Sequence, residues 1–381
     1  MRSNRQGMPQ VEIVEEGMRE GMQIESADIP VSDKIKLLDE LSKTGLRRIV
    51  VGSFVSPRWV PQMAQIEELL NGFTPEESVE YTALVLNEKG AIRRKEFVPP
   101  LFVEPGIVRT TVHLCDVFVK RNTARGQADE IAAWDRVISD AVSRGVTDAV
   151  VAINAAWGSN WLGAFSTDER MRLIRLQVDA WEQAGVTPTR LWIGDPMSWN
   201  TPREVEETLI RVQQELPQFT HFHLHLHNGR GMAPISAYQA IRTLNEHHTL
   251  VIDSSIGGMG GCPYCGNGRA TRMIPTEDLV HLLEAEGYET GVDLARLIEV
   301  VHLAETVVGH ELYGHVSKAG PRPTMENLYA MDMPLIETVD EAQHFWKGPS
   351  AYADCSAPYK EPIRSAARDE IDKRQGEGSH G

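Results

Sequence analysis

Four histidines alternate with apolar residues in His221-Phe-His223-Leu-His225-Leu-His227, and Asn228-Gly229 follows directly. Residues two apart on a strand point to one side, so His225 and His227 can grip one cation from a single face, imidazole being suited to a borderline divalent metal. His221 and His223 lie earlier on the strand and read as core or strand-entry residues satisfied by hydrogen bonds. A second group, Arg19-Glu20-Gly21-Met22-Gln23, gathers a guanidinium, a carboxylate and an amide beside a glycine that lets the backbone turn. The third is Gly257-Gly-Met-Gly-Gly261-Cys262-Pro-Tyr-Cys265-Gly-Asn267-Gly-Arg269. Its glycines read as a mobile flap that carries a thiol and an amide oxygen to a substrate and releases them. Two histidines and one carboxylate leave coordination positions open. The amide oxygen of Asn267 can take one, with the rest left for substrate.

For these groups to meet, the chain must bring several strand ends to one place. Short β-branched runs predict strands at Val11–Val14, Arg48–Ser53, Glu80–Asn87, Arg109–Cys115, Asp148–Asn154, Arg190–Asp195, Thr220–Leu226 and Thr249–Asp253. Helical patterns separate them at Ser32–Thr44, Val60–Leu70, Lys89–Glu96, Asp129–Arg144, Thr167–Ala184, Pro202–Glu215, Pro234–Glu246 and Glu277–Glu286. Start signals stand at Ser32-Asp33, at Thr167 and at Thr276-Glu277-Asp278, and Gly45, Gly145 and Gly185 mark helix ends. Such alternation fits the α/β class, as a (β/α)8 TIM barrel with a C-terminal extension, better than an open doubly wound sheet. The turn after the first strand, Glu15-Glu16-Gly17-Met18-Arg19-Glu20-Gly21, is acidic and no phosphate cradle. The three chemical groups all fall at the carboxyl ends of predicted strands or in the loops after them, where a barrel keeps its working residues. A further helix is predicted over Val292–Val308. The barrel is expected over residues 1–318, an extension acting as lid or subunit contact over 319–365, and a frayed tail over 366–381. Trp346 and Tyr352 in the extension are candidates to cover the pocket mouth, or packing anchors.

Composition excludes several classes. Of 381 residues, 41% are apolar and 24% charged, which rules out disorder for most of the length. Lys and Arg number 38 against 54 Asp and Glu, and a net charge of −16 disfavours nucleic acid and anionic membrane as partners. No apolar run reaches the roughly 18 residues of a membrane span. Four cysteines (Cys115, Cys262, Cys265, Cys355) are too few for a disulfide scaffold, so a reducing, cytoplasmic location is expected. Cys262-Pro-Tyr-Cys265 has no second Cys pair to complete a structural zinc site.

Three stretches carry a family resemblance: Ser53-Phe-Val-Ser-Pro57-Arg-Trp59-Val-Pro-Gln-Met63, Asp253-Ser-Ser-Ile-Gly-Gly-Met-Gly-Gly-Cys-Pro-Tyr264 and Thr276-Glu-Asp-Leu-Val280. Together they resemble 3-hydroxy-3-methylglutaryl-CoA lyase and its relatives, metal-dependent barrel lyases that include isopropylmalate and homocitrate synthases. The resemblance runs from about residue 11 to 320. It implies that Arg19 steadies an enolate oxygen, that Glu20 stands at a metal-binding aspartate, and that His225 and His227 are metal ligands. By the same likeness Cys262 is the flap cysteine and Asp195 an acid near the metal. The run Asp116-Val-Phe118-Val-Lys-Arg-Asn122 matches the family's Phe, basic pair and Asn. Departures accompany it. Glu20 is one methylene longer than aspartate, and Val50 replaces a glutamate that points into the family's pocket. Thr271 falls where the loop asparagine is expected, and Asn267 lies nearer to Cys262. The loop is two residues longer and carries Arg269 and Arg272.

The reading is thus a divalent-metal-dependent carbon–carbon lyase acting on a 3-hydroxyacyl-CoA or related hydroxy acid. Arg19, Asp195 and Cys262 are expected to be catalytic, Gln23, Asn122 and Arg269 to bind substrate, and Glu20, His225, His227 and Asn267 to hold Mg2+ or Mn2+, with Zn2+ as an alternative. A homo-oligomer is expected. Two other readings stand beside it: a condensing enzyme of the isopropylmalate or homocitrate synthase type, and a barrel that has lost catalysis and serves as a binding partner.

Overall fold

Short runs rich in β-branched residues, or in β9 alternating histidine with Phe and Leu, form eight parallel strands: β1 (Gln10–Glu15), β2 (Arg48–Ser53), β3 (Glu80–Leu84), β4 (Ile107–His113), β5 (Asp148–Asn154), β8 (Arg190–Asp195), β9 (His221–Leu226) and β10 (Thr249–Ser254). A small hairpin, β6 (Gly158–Ser159) with β7 (Gly163–Ala164), follows β5. A computed structural model of the chain describes residues 1, 3, 5–103, 106–266, 268–323 and 328. The chain divides into Met1–Gly320 and Pro321–Gly381, and the first unit carries the site. Trp346, Tyr352, Cys355 and the tail 366–381 lie outside the described residues.

The strands lie in the order β3-β2-β1-β10-β9-β8-β5-β4 and alternate along the chain with helices, which is the (β/α)8 barrel arrangement. Six registered pairs join β1 to β10, from Gln10–Thr249 to Glu15–Ser254, and six join β8 to β9, from Arg190–His221 to Asp195–Leu226. Among the described residues no ladder joins β3 to β4. A single bridge between Tyr81 and Leu101 lies at that seam. Strand alternation separates two environments. Val11, Ile13, Phe222, Leu224, Leu226, Leu250 and Ile252 pack in the main core beneath the helices, while Val14, Val50 and Val251 form a cluster of their own facing the lumen.

Helices α1 (Val31–Ser42), α2 (Ile66–Gly72), α3 (Glu88–Lys95), α5 (Gln127–Ser143), α6 (Thr167–Gln183), α7 (Pro202–Glu215), α8 (Ala233–Thr243), α9 (Thr276–Ala285) and α10 (Leu294–Val308) match predicted ones. The sequence reading misses α4 (Asp116–Thr123), which is short and polar, and the terminal turn α11 (Val316–Ala319). Helix α6 begins at Thr167 as expected, and its cap is Ser166, one residue before. Ser166 accepts a hydrogen bond from the Glu169 N–H at 3.2 Å, and the Glu169 carboxylate takes the Ser166 N–H at 2.7 Å, a reciprocal cap. Gly45, Gly145 and Gly185 end their helices with φ of +88°, +73° and +81°. No helix among the described residues is long and apolar enough to cross a membrane.

Candidate metal centre and active site

The turn leaving β1 is wider than an α-helical one. Over Gly17–Gly21 the chain makes a π-helical turn in which the Gly21 N–H bonds the carbonyl of Glu16 at 3.1 Å, five residues back. Arg19, Glu20 and Gln23 leave this turn together. The Arg19 guanidinium bonds Glu16 at 2.7 Å through Nε and Glu20 through Nη1, and Gln23 donates to the same Glu20 oxygen, Oε2, at 2.9 Å. The other oxygen, Oε1, lies 3.7 Å from His227 Nε2. One ligand atom from each of Glu20, His225 and His227 lies within 4.8 Å of the others. Three of the four expected metal residues are therefore brought together at the ends of β1 and β9.

Each imidazole is prepared differently. Burial, then the nearby charges of His225 and Arg19, pushes His227 well below the usual histidine range, so it is held in the neutral form that ligates metal. Its Nδ1 is buried and has no hydrogen-bond partner among the described residues. Burial alone would lower His225 as well, but Asp253 on its Nδ1 at 2.8 Å raises it. A neutral His225 that donates Nδ1–H to a carboxylate keeps Nε2 as its ligand atom. Two imidazoles and a carboxylate, one ligand atom from each, fit a divalent cation with open positions. Asp253 itself is held well below the carboxylate range. Burial opposes this, and His223 and His225 on its two oxygens outweigh burial.

Around this set the other expected residues separate. Asp195, at the end of β8, is fully buried; Oδ2 accepts from the Asn200 backbone N–H at 2.7 Å and its side-chain amide at 2.6 Å, while Oδ1 has no partner among the described residues. Burial raises its pKa. Cys262 is buried beside Cys115, Phe118, Ala155, Met197 and Cys265. Its N–H donates to Thr271 Oγ1 at 2.8 Å, which gives a structural use to the threonine at the place of the expected loop asparagine. The Cys265 thiol is pushed far up by its hydrogen bond to Cys262 and by burial, and it donates to the Pro196 carbonyl at 2.9 Å. A thiol kept protonated is a poor redox nucleophile, so Cys265 reads as a packing residue beside Cys262. Asn122 is exposed near the end of α4. Asn267 lies outside the described residues, as does the Arg269 side chain.

The glycine loop departs from the expected mobile flap. Its first half, Gly257–Gly261, is fully built into the barrel end. The Ile256 and Gly257 N–H groups donate to Glu15 at 3.0 Å and Glu277 at 2.9 Å, and the Met273 N–H returns to the Gly258 carbonyl at 3.4 Å. Gly260, at φ +108°, lies so close that a Cβ there would meet Glu20 Cγ at 3.2 Å. Here glycine serves close approach rather than motion. Only the stretch beyond Cys262 is partly exposed.

Several residues at the site were not singled out from sequence. They are Glu16, Asp253 and Trp192, whose indole stacks on His225 with centroids 5.6 Å apart and an interplanar angle of 26°; His223 is satisfied by a hydrogen bond as expected, its partner being Asp253. Arg109 lies over the other side of this group, 4.5 Å from the Trp192 ring centre. The alternation of each strand carried a signal for Asp253, which shares a face of β10 with Val251, but the register that joins it to β9 is not written locally.

Against this geometry, the HMGL-like family profile matches residues 10–304. The chain belongs to the HMGL-like family. It is 31% identical over 290 residues to the mitochondrial hydroxymethylglutaryl-CoA lyase of Bos taurus, covering 76% of this chain and 83% of the relative. It is also 31% identical over 326 residues to the (R)-citramalyl-CoA lyase of Chloroflexus aurantiacus, covering 82% and 96%. Among solved structures, an HMG-CoA lyase from A. baumannii in complex with coenzyme A and 3-methylmalate aligns with a TM-score of 0.67 at 26% identity, over 85% of this chain and 99% of the other. The (β/α)8 barrel of the family is the fold described above.

Proposed function

We propose that the protein is a divalent-metal-dependent lyase that cleaves the C2–C3 bond of a 3-hydroxyacyl-CoA thioester. The observation that carries this reading is the meeting of Glu20, His225 and His227 within 4.8 Å at the barrel end, beside a paired Arg19. Membership in a family whose named relatives include two kinds of acyl-CoA lyase supports the reaction class. Held by Glu20, His225 and His227, Mg2+ or Mn2+ would act as a Lewis acid that makes the substrate hydroxyl easier to deprotonate.

The chain's own residues do the rest. A buried acceptor takes the hydroxyl proton, and Asp195, whose Oδ1 is left open, is assigned that role. As the C2–C3 bond breaks, the C3–O bond becomes a carbonyl and the electron pair moves into a thioester enolate. Arg19, with its guanidinium held by Glu16 and Glu20, offsets that charge without reorganising. Cys262 delivers the proton that turns the enolate into the shorter acyl-CoA. The buried loop from Gly257 to Gly261 packs against Glu20 through Gly260 and helps to hold that carboxylate in place.

The two named relatives cleave different acyl groups, so the test is a screen. Protein loaded with Mn2+ is offered 3-hydroxy-3-methylglutaryl-CoA, citramalyl-CoA and other 3-hydroxyacyl-CoA thioesters, and a new ketone or keto acid is assayed. Cleavage that disappears on chelation is expected. Release of free CoA from acetyl-CoA plus a 2-oxo acid, with no cleavage, would replace this reading by a condensing one. Absence of both in metal-loaded protein would reject the enzyme.

A further inference from the structure

We propose that His223 and Asp253 form a positioning pair that fixes His225 as a metal ligand, a role for His223 that its place on the strand does not announce. The inference rests on the reading of His225 as a cation ligand. The Asp253 side chain is 3% exposed and uses both oxygens on imidazoles, Oδ1 with His223 Nε2 at 2.6 Å and Oδ2 with His225 Nδ1 at 2.8 Å. An ionised carboxylate only accepts, so the facing nitrogen of each ring must carry the proton. His225 is then the Nδ1–H tautomer, and its lone pair sits on Nε2.

His223 matters because a carboxylate anchored through one oxygen can still turn about its terminal torsion. Anchored through both, it holds one plane, and the hydrogen bond on Oδ2 sets the plane of the His225 ring. Register makes this possible. His223 stands opposite Val251 in the β9–β10 ladder, so Asp253, two residues on, is its diagonal neighbour on the same face. Trp192 closes the arrangement, stacked on His225 and edge-on to His223 with centroids 6.3 Å apart. His223 is no ligand itself, because its Nε2 is committed to Asp253 and it lies outside the Glu20, His225 and His227 group.

Glu16, His225 and Asp253 also place ligand atoms within 4.8 Å of one another. That group does not read as a second cation site. Glu16 Oε2 is held by Arg19, and both oxygens of Asp253 are taken by imidazoles. It is the outer support of the first.

The test measures Mn2+ affinity from the free-ion signal in electron paramagnetic resonance, so its readout does not depend on turnover. Full-length wild type, His225→Ala, Asp253→Asn, His223→Leu, His223→Gln and the Asp253→Asn/His223→Leu double variant are compared, with thermal unfolding of each metal-free protein. Asp253→Asn should weaken binding about 10–100-fold, the usual cost of losing an outer partner of a ligand. His223→Leu should weaken it about 3–10-fold, a smaller loss because it acts through Asp253. His223→Gln keeps an N–H within reach of Oδ1 and should stay within about twofold of wild type. In the double variant the His223 loss should vanish, since its effect passes through the carboxylate. Unchanged affinity in His223→Leu, an equal loss in His223→Gln, or losses that multiply in the double variant would overturn the proposal. Should Asp253→Asn fail to fold, the His223→Leu and His223→Gln comparison decides alone. Wild type that takes up no Mn2+, or His225→Ala that keeps wild-type affinity, overturns both the pair and the metal reading beneath it.

Discussion

Glu20 divides its two oxygens between tasks: Oε2 takes Arg19 and Gln23, and Oε1 faces His227. Replacing it by Ala removes the only acid of the donor set, and the Mn2+ affinity should fall by more than the about 10–100-fold of an outer partner. Calorimetric titration checks this. Wild-type affinity in Glu20→Ala would show that the cation binds elsewhere. Arg19 is a different case, because it neutralises Glu16 as well as Glu20. Arg19→Lys keeps a charge but loses the two-pronged contact, and kcat should drop about a hundredfold with Mn2+ binding retained. A kcat within about twofold of wild type would remove Arg19 from the chemistry. These residues were legible because their signal is local, a strand period of two and a charged turn after a strand. His223, Asp253 and Glu16 were not, since what they do depends on which strand lies beside which.

Elements set the precision that residues need. The loop after β10 uses Gly260 where its backbone touches Glu20, in a conformation with φ of +108° that L side chains avoid. Gly260→Ala should cost about 1–3 kcal/mol and displace Glu20, so thermal stability and metal affinity should fall together. A loss confined to stability would place the strain away from the donor set. The base of the same loop is held by Glu277, whose pKa burial pushes from 4.5 to about 8, with Asp278 and Glu15 adding to the rise and the Gly257 N–H opposing it. The folded state therefore keeps this proton to about pH 8, while an unfolded glutamate releases it near 4.5. Its contribution to stability is full below pH 4.5 and is lost as pH rises toward 8. Glu277→Gln should abolish a pH-dependent loss of a few kcal/mol, read from urea unfolding on either side of that window. Parallel curves for the two proteins would refute the assignment. The strands Arg48–Ser53, Asp148–Asn154 and Arg190–Asp195 were legible to the residue because β-branched runs ended in turn signals. The short helix α4 was not, because its cap is the Cys115 sulfur, which accepts from the Phe118 N–H at 3.3 Å and leaves no ordinary start signal.

At the scale of the molecule, the site stands on strands joined to one another by unbroken ladders. Asp195, His225, His227, Asp253 and the turn after β1 belong to β8, β9, β10 and β1, neighbours in the sheet and linked by continuous register. The barrel itself was legible from eight alternations, whereas the uneven strength of its seams was not, since a sequence shows strands and not their partners. Hydrogen exchange should follow that unevenness. Amides of β3 and β4, each lacking a ladder on one side among the described residues, should exchange before those of β9 and β10. Equal protection around the barrel would mean that the β3–β4 seam closes in solution. The seam has a practical consequence too. A protease cut between Phe97 and Val103 would fall where one bridge and no ladder links the two halves, so the fragments should stay paired along β1 and β10 with Glu20, His225 and His227 on the joined side. This is the point at which the chain can be split, or its termini relocated, without dismantling the metal cup.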